Sequence, residues 1–111
     1  MPVYDLRDIK SEFVTPKHST AWGPLILGDN IEVGVLKYKA GEGANTHSHP
    51  HEQIIVVLSG KATFTLDGVA SEVGPGKAIH IPSNVPHSVK MIEDTEVVSC
   101  KNLVAGVGHK I

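Results

Sequence analysis

An all-β barrel or sandwich is the fold class that this sequence predicts, and two observations carry it. Short β-branched runs recur along the chain, separated by Gly and Pro turns about every 8–12 residues. No window of about 12 residues carries the 3.6-residue apolar period of an amphipathic helix.

The elements follow in order. Residues 1–30 are the least regular part, interrupted by Pro2, Pro16, Gly23, Pro24 and Gly28. They read as an N-terminal arm with short strands, in which Trp22 packs across a subunit interface. Residues 31–111 read as the barrel. IEVGVLKYKA, Ile31 to Ala40, is a strand that ends at the turn KAGEGA. QIIVVL, Gln53 to Leu58, is apolar and β-branched, and Ser59 and Gly60 turn it into the alternating run Lys61 to Leu66. Asp67-Gly68 marks a tight hairpin into Val69–Val73. Gly74-Pro75-Gly76 breaks the chain before Lys77–Ile81, which Pro82 stops. After the turn SNVPH come His87–Ile92, the turn Glu93-Asp94 and a last strand, Glu96–Leu103.

The 111 residues suit one domain with one core. Net charge is -2 and the basic residues are scattered, so no nucleic-acid surface is expected. The start, MPVYDLRDIK, lacks the basic and apolar sections of a signal peptide, and no apolar run approaches ~20 residues. No membrane association is expected, and the cytoplasm is the default location. Cys100 is the only cysteine, which excludes an intrachain disulfide and a four-cysteine zinc site. In EVVSCKNL it reads as a small core or interface residue.

Chemistry concentrates in NTHSHPHEQ, Asn45 to Gln53. His47, His49 and Gln53 share parity, so a regular strand would present them on one face. Imidazoles alternating along a strand edge can each give one nitrogen to a single ion. Buried without an ion, each would need a hydrogen-bond partner. His87, which follows Pro86 at the start of a strand, is the best source of a further ligand. The competing reading of the residues alone is a surface histidine patch.

Two motifs in this region resemble those of the cupins. Gly41, His47, His49, Gln53 and Gly60 follow the spacing of the first cupin motif, with Gln53 where a glutamate usually stands. Gly76, Pro82 and His87 follow the second, with Asn84 in place of a glycine, a swap that its tolerance of left-handed backbone allows. The strand pattern extends the match to about residues 31–103. The resemblance implies a double-stranded β-helix, or jelly-roll, barrel enclosing one divalent transition metal per chain (Mn, Fe, Ni, Co or Zn). It implies His47, His49, Gln53 and His87 as the ligands, and a homodimer. HSHPHEQI and IPSNVPH are most similar to the motifs of the small uronate-linearising cupins of pectin and alginate breakdown. Those usually end in an aromatic, arginine and acidic cluster, whereas this chain ends NLVAGVGHKI.

A glutamine ligand is neutral. Three imidazoles and an amide leave a divalent ion its full charge, which favours an anionic small-molecule substrate and a developing enolate. His51 is a candidate acid–base group, since an imidazole can exchange a proton near neutrality. Tyr38 and His80 are candidates to reach the pocket, and Glu52 to orient a ligand histidine. His18 and His109 lie in irregular ends and carry little weight. Three functions fit: a non-redox isomerase, tautomerase or lyase acting on a small carboxylate or carbonyl compound; an Fe(II) dioxygenase of a small diketone, enol or thiol; and a non-catalytic binding module.

Overall fold

The computed structural model describes residues 2–111. One 3-10 turn, Leu6–Asp8, precedes eleven strands: β1 (Glu12–Phe13), β2 (Trp22–Gly23), β3 (Leu25–Leu27), β4 (Ile31–Tyr38), β5 (Gly43–His47), β6 (Gln53–Ser59), β7 (Ala62–Leu66), β8 (Val69–Val73), β9 (Ala78–Ile81), β10 (His87–Met91) and β11 (Thr95–Asn102). They form two antiparallel sheets. The larger runs β1-β2-β4-β11-β6-β9, with β3 also paired to β4; the smaller runs β5-β10-β7-β8. The all-β jelly-roll expectation therefore holds. Among the described residues no helix is long and apolar enough to cross a membrane.

The core lies between the sheets and follows the two-residue period of each strand. Ile55 and Val57 of β6, Leu36 of β4, Phe64 of β7, Met91 of β10 and Val97 of β11 are buried, while Ile54 and Leu58 are exposed on the outer face of β6. Turn chemistry fixes the register. Asp67 and Gly68 both have positive φ (47° and 81°), as a two-residue type I′ hairpin requires. Gly60 turns at φ 88°, where a β-carbon would collide with the carbonyl oxygen of Asp94. Asn84 takes φ 64°, the left-handed conformation expected of it.

Expected and observed strands differ by one or two residues at their ends, as at Ala78 instead of Lys77. One whole strand is new. β5, GANTH, has no β-branched alternation and lies partly in the segment read as a turn. Pairing with β10 makes it a strand, with His47 opposite His87 and Ala44 opposite Val89. The N-terminal residues are part of the same architecture. β1 to β3 extend the larger sheet, and Val14 and Ala21 belong to the core. Trp22 packs edge-on against Phe13 with ring centroids 4.9 Å apart, both rings exposed on the surface.

Candidate metal centre

His47 and His87 face each other across β5 and β10 of the smaller sheet. His49 stands on the loop that follows β5, and the backbone amide of Asn84 donates to its carbonyl at 2.8 Å, tying the two motif loops together. Gln53 opens β6 in the larger sheet, as the register partner of both Ile81 and Lys101. The site thus straddles the mouth between the sheets. One nitrogen from each of His47, His49 and His87 lies within 4.8 Å of the others, a cluster capable of coordinating a metal ion.

The ring protons of His47 and His87 are assigned by the backbone. Nδ1 of His47 donates to the carbonyl of Asn45 at 2.6 Å and Nδ1 of His87 to Val85 at 2.8 Å, while His49 has an acceptor on each side, the His51 carbonyl 3.1 Å from Nδ1 and Gln53 Oε1 3.2 Å from Nε2. A neutral imidazole carries one proton, so Nε2 of His47 and of His87 is left as a bare lone pair, and one nitrogen of His49 must face an acceptor without a proton. Burial pushes all three rings below the ordinary histidine range, His49 to about 4, with the nearby Lys101 and His87 adding to the effect on His49. The rings are therefore neutral at pH 7.

Gln53 is oriented in the same sense. Its Nε2 donates to Ser99 Oγ at 2.8 Å, and its Oε1 stands 3.2 Å from His49 Nε2. Ser99 in turn donates to His109 Nε2 at 2.8 Å, and His109 donates from Nδ1 (2.7 Å) and from its backbone amide (2.6 Å) to Glu32 Oε1. A one-way chain of hydrogen bonds runs from the amide to a buried carboxylate, which its His109 partners hold below the usual carboxylate range against its burial. Three imidazoles, each supported from behind and flanked by an amide oxygen, fit a divalent metal ion.

A cavity of about 40 Å³ lies beside the cluster, lined by Tyr38, His47, Gln53, His87, Lys101 and His109 together with apolar side chains such as Phe64 and Ile81. Tyr38 thus reaches the cavity, and burial pushes its phenol above the ordinary range, with Ser19 opposing.

Other candidates are placed differently. His80 is exposed on the outer face of β9, beside Ile54, and bonds Glu52 at 2.7 Å. The expected pocket role of His80 is corrected by strand parity, because Ile79 and Ile81 take the inward positions. Glu52 likewise holds His80 and not a ligand ring. His51 is buried, but its Nε2 donates to the carbonyl of Val107 at 2.6 Å and its Nδ1 has no partner. The ring is not among the cavity walls; its carbonyl, which orients His49, is what it gives the site.

Sequence reasoning passed over Glu32, Ser99, Lys101 and His109. The first three carried a usable signal. Each shares strand parity with an apolar core residue, Glu32 with Leu36 and both Ser99 and Lys101 with Val97. His109 had none, since its segment folds inward by bonding, with Thr15 Oγ1 donating to its carbonyl at 2.6 Å. His18 also joins the site's rim, stacked on His47 at 4.6 Å between ring centroids.

A family model described as the Cupin domain matches residues 34–100. An uncharacterized protein of Methanocaldococcus jannaschii, MJ1618, is 34% identical over 98 residues, covering 78% of each chain. A dimethylsulfoniopropionate lyase of Ruegeria pomeroyi, DddQ, is 33% identical over 69 residues, which are 61% of this chain and 34% of that one. The chain thus spans about a third of the length of that lyase. Among solved structures, an RmlC-like cupin from Shewanella frigidimarina superposes with a TM-score of 0.82 at 14% identity, covering 94% of this chain and 92% of that one.

Proposed function

The chain belongs to the cupin family, and from that premise we propose a metal-dependent enzyme that carries out non-redox isomerisation, tautomerisation or lyase chemistry on a small carboxylate or carbonyl compound. The observation that carries this reading is the convergence of one nitrogen from each of His47, His49 and His87 within 4.8 Å, with the Gln53 oxygen beside His49. His47, His49, His87 and Gln53 would hold the ion. A divalent ion bound there supplies Lewis-acid polarisation of a substrate oxygen, with its charge undiminished by neutral ligands.

The rest of the chemistry falls to the chain's own groups. Tyr38 presents a hydroxyl to the cavity that stays protonated well above neutral pH and can donate to a substrate oxygen. Phe64, Ile55 and Ile81 exclude water from the inner wall, which strengthens every polar contact inside. The likeness to a lyase acting on dimethylsulfoniopropionate, by its name a small carboxylate, supports this substrate class.

Proton abstraction next to a carbonyl is common to the proposed reactions. The test is therefore hydrogen–deuterium exchange at the methyl group of pyruvate, followed by proton NMR in heavy water. Protein loaded with Mn, Co, Ni or Zn should accelerate exchange, and His87→Ala should abolish it together with the bound ion. Uptake of an ion without exchange in any 2-oxo acid tried, but with oxygen consumption in the Fe(II) form, would transfer the site to the dioxygenases.

A further inference from the structure

Lys101 is 3% exposed and takes the last inward position of β11, between Glu32 on β4 and Gln53 on β6. Its side chain lines the same cavity as His47, His87 and Gln53. No hydrogen bond or ion pair engages its ammonium among the described residues. The nearest opposite charge, Glu32, is occupied with the amide and ring of His109. Burying a cation without a partner costs several kcal/mol. A residue of Met-like shape at this position would avoid that cost, and within the protein the charge of Glu32 only partly offsets it.

We propose that Lys101 is the anion anchor of the site, holding one carboxylate of a short dicarboxylate or 2-oxo acid whose other oxygen group faces the three-histidine cluster. The reading rests on the proposed metal site, and it narrows the substrate class. The compact cavity admits only a small molecule. Its walls bring polar groups from both sheets together, His47 and His87 from the smaller and Gln53 and Lys101 from the larger, among apolar side chains such as Phe64 and Ile81. A ligand with oxygen groups at two adjacent points satisfies both the ammonium and the cluster, whereas a ligand with one such group leaves one of them unpaired. Lys101 would also become chemically compensated only when such a ligand arrives, so the energy stored in the empty site favours binding.

The test uses malonate as the probe and dimethyl malonate as its uncharged control. Binding to metal-loaded wild type, Lys101→Met and Lys101→Gln is read by calorimetry, with metal content and thermal melting measured on each. Both variants should keep the ion, and Lys101→Met should melt higher than wild type. Malonate affinity should fall at least tenfold in both, while the uncharged diester should bind wild type and the variants alike. Unchanged malonate affinity in either variant overturns the proposal, as does failure of loaded wild type to bind malonate. Loss of the ion or a lower melting temperature in both variants also overturns it, by making Lys101 structural. If wild type takes up no ion, the metal reading fails by itself. Malonate binding to the metal-free protein then still reports on Lys101, and its persistence in Lys101→Met would count against the anchor.

Discussion

His49 Nε2 and Gln53 Oε1 stand 3.2 Å apart, and the one proton of a neutral His49 ring is divided between that oxygen and the His51 carbonyl, 3.1 Å from Nδ1. The amide protons of Gln53 are on the far side, committed to Ser99, so with the ring proton on Nδ1 the facing atoms are both acceptors. Two lone pairs at that distance repel, and a shared cation turns the repulsion into two ligand bonds. Such a pair would mark a metal site more specifically than the HxH spacing does.

Gln53→Glu tests the charge of the ligand set. A carboxylate of the same length can hold the ion, and its charge should tighten metal binding while reducing the field left for an anion. We expect full metal content, slower loss of the ion to a chelator and about tenfold weaker malonate binding. Equal or tighter malonate binding would show that ligand charge does not set anion preference here.

Ser99→Ala tests the chain of hydrogen bonds behind Gln53. The hydroxyl is what keeps the amide oxygen turned toward His49. Removing it leaves the amide free to flip, and loss of such outer support commonly lowers metal affinity about 10- to 100-fold. Stability should drop by only about 1 kcal/mol. Chelator competition read beside a denaturation curve separates the two effects.

The sequence made the three clustered histidines legible because motif spacing survives without knowledge of strand pairing. Supporting residues were hidden for the opposite reason. Glu32, Ser99 and Lys101 become neighbours only when β4, β11 and β6 align, and nothing local specifies that register. Their parity with Leu36 and Val97 was visible, yet polar side chains at inward positions read naturally as strand ends. His80 failed in reverse: it alternates with Ile79 and Ile81, but only the pairing of β9 with β6 shows which face is outward. GANTH carried no strand propensity at all, and its conformation comes from β10.

Glu32→Ala should loosen the C-terminal segment. It strips the acceptor from both the amide and the ring of His109, which is 2% exposed. Leaving buried donors unpaired should cost on the order of 3 kcal/mol. Amide exchange should rise first at residues 104–111, and metal affinity should fall with it through Ser99 and Gln53. Exchange unchanged in that segment would place its anchor elsewhere.

His80→Ala is the matching outer-face control. The His80–Glu52 pair is exposed, and such pairs contribute little. Melting should shift by the equivalent of no more than about 0.5 kcal/mol. Metal content and malonate affinity should match wild type; a loss of either would return His80 to the site.

The stability of the metal-free protein should rise with pH in two separate steps. Burial lowers His49 from 6.5 to about 4, and lowers His47, His87 and His109 as well. Burial also lowers Lys101 from 10.5 to about 8, with Glu32 partly opposing. In every case the folded chain binds the proton more weakly than the unfolded chain does. As pH falls, the unfolded state takes up protons first, and the folded state loses stability. The histidines are neutral in both states above 6.5, so their contribution is intact there and is lost between 6.5 and about 4. Glu32, lowered from 4.5, adds a loss at the acid end of that window. Lys101 is charged in both states below about 8, so the curve should be level from there to 6.5. Between 8 and 10 the unfolded lysine holds a proton that the folded one sheds, and stability should climb again. Above 10 the raised Tyr38 reverses the slope, because the unfolded phenol ionises first. Thermal melts of metal-free wild type and Lys101→Met across this range check the assignment. The variant should lose the step between 8 and 10 and keep the one below 6.5. A wild-type curve that is level between 8 and 10 would mean that the Lys101 ammonium is solvated or paired in solution.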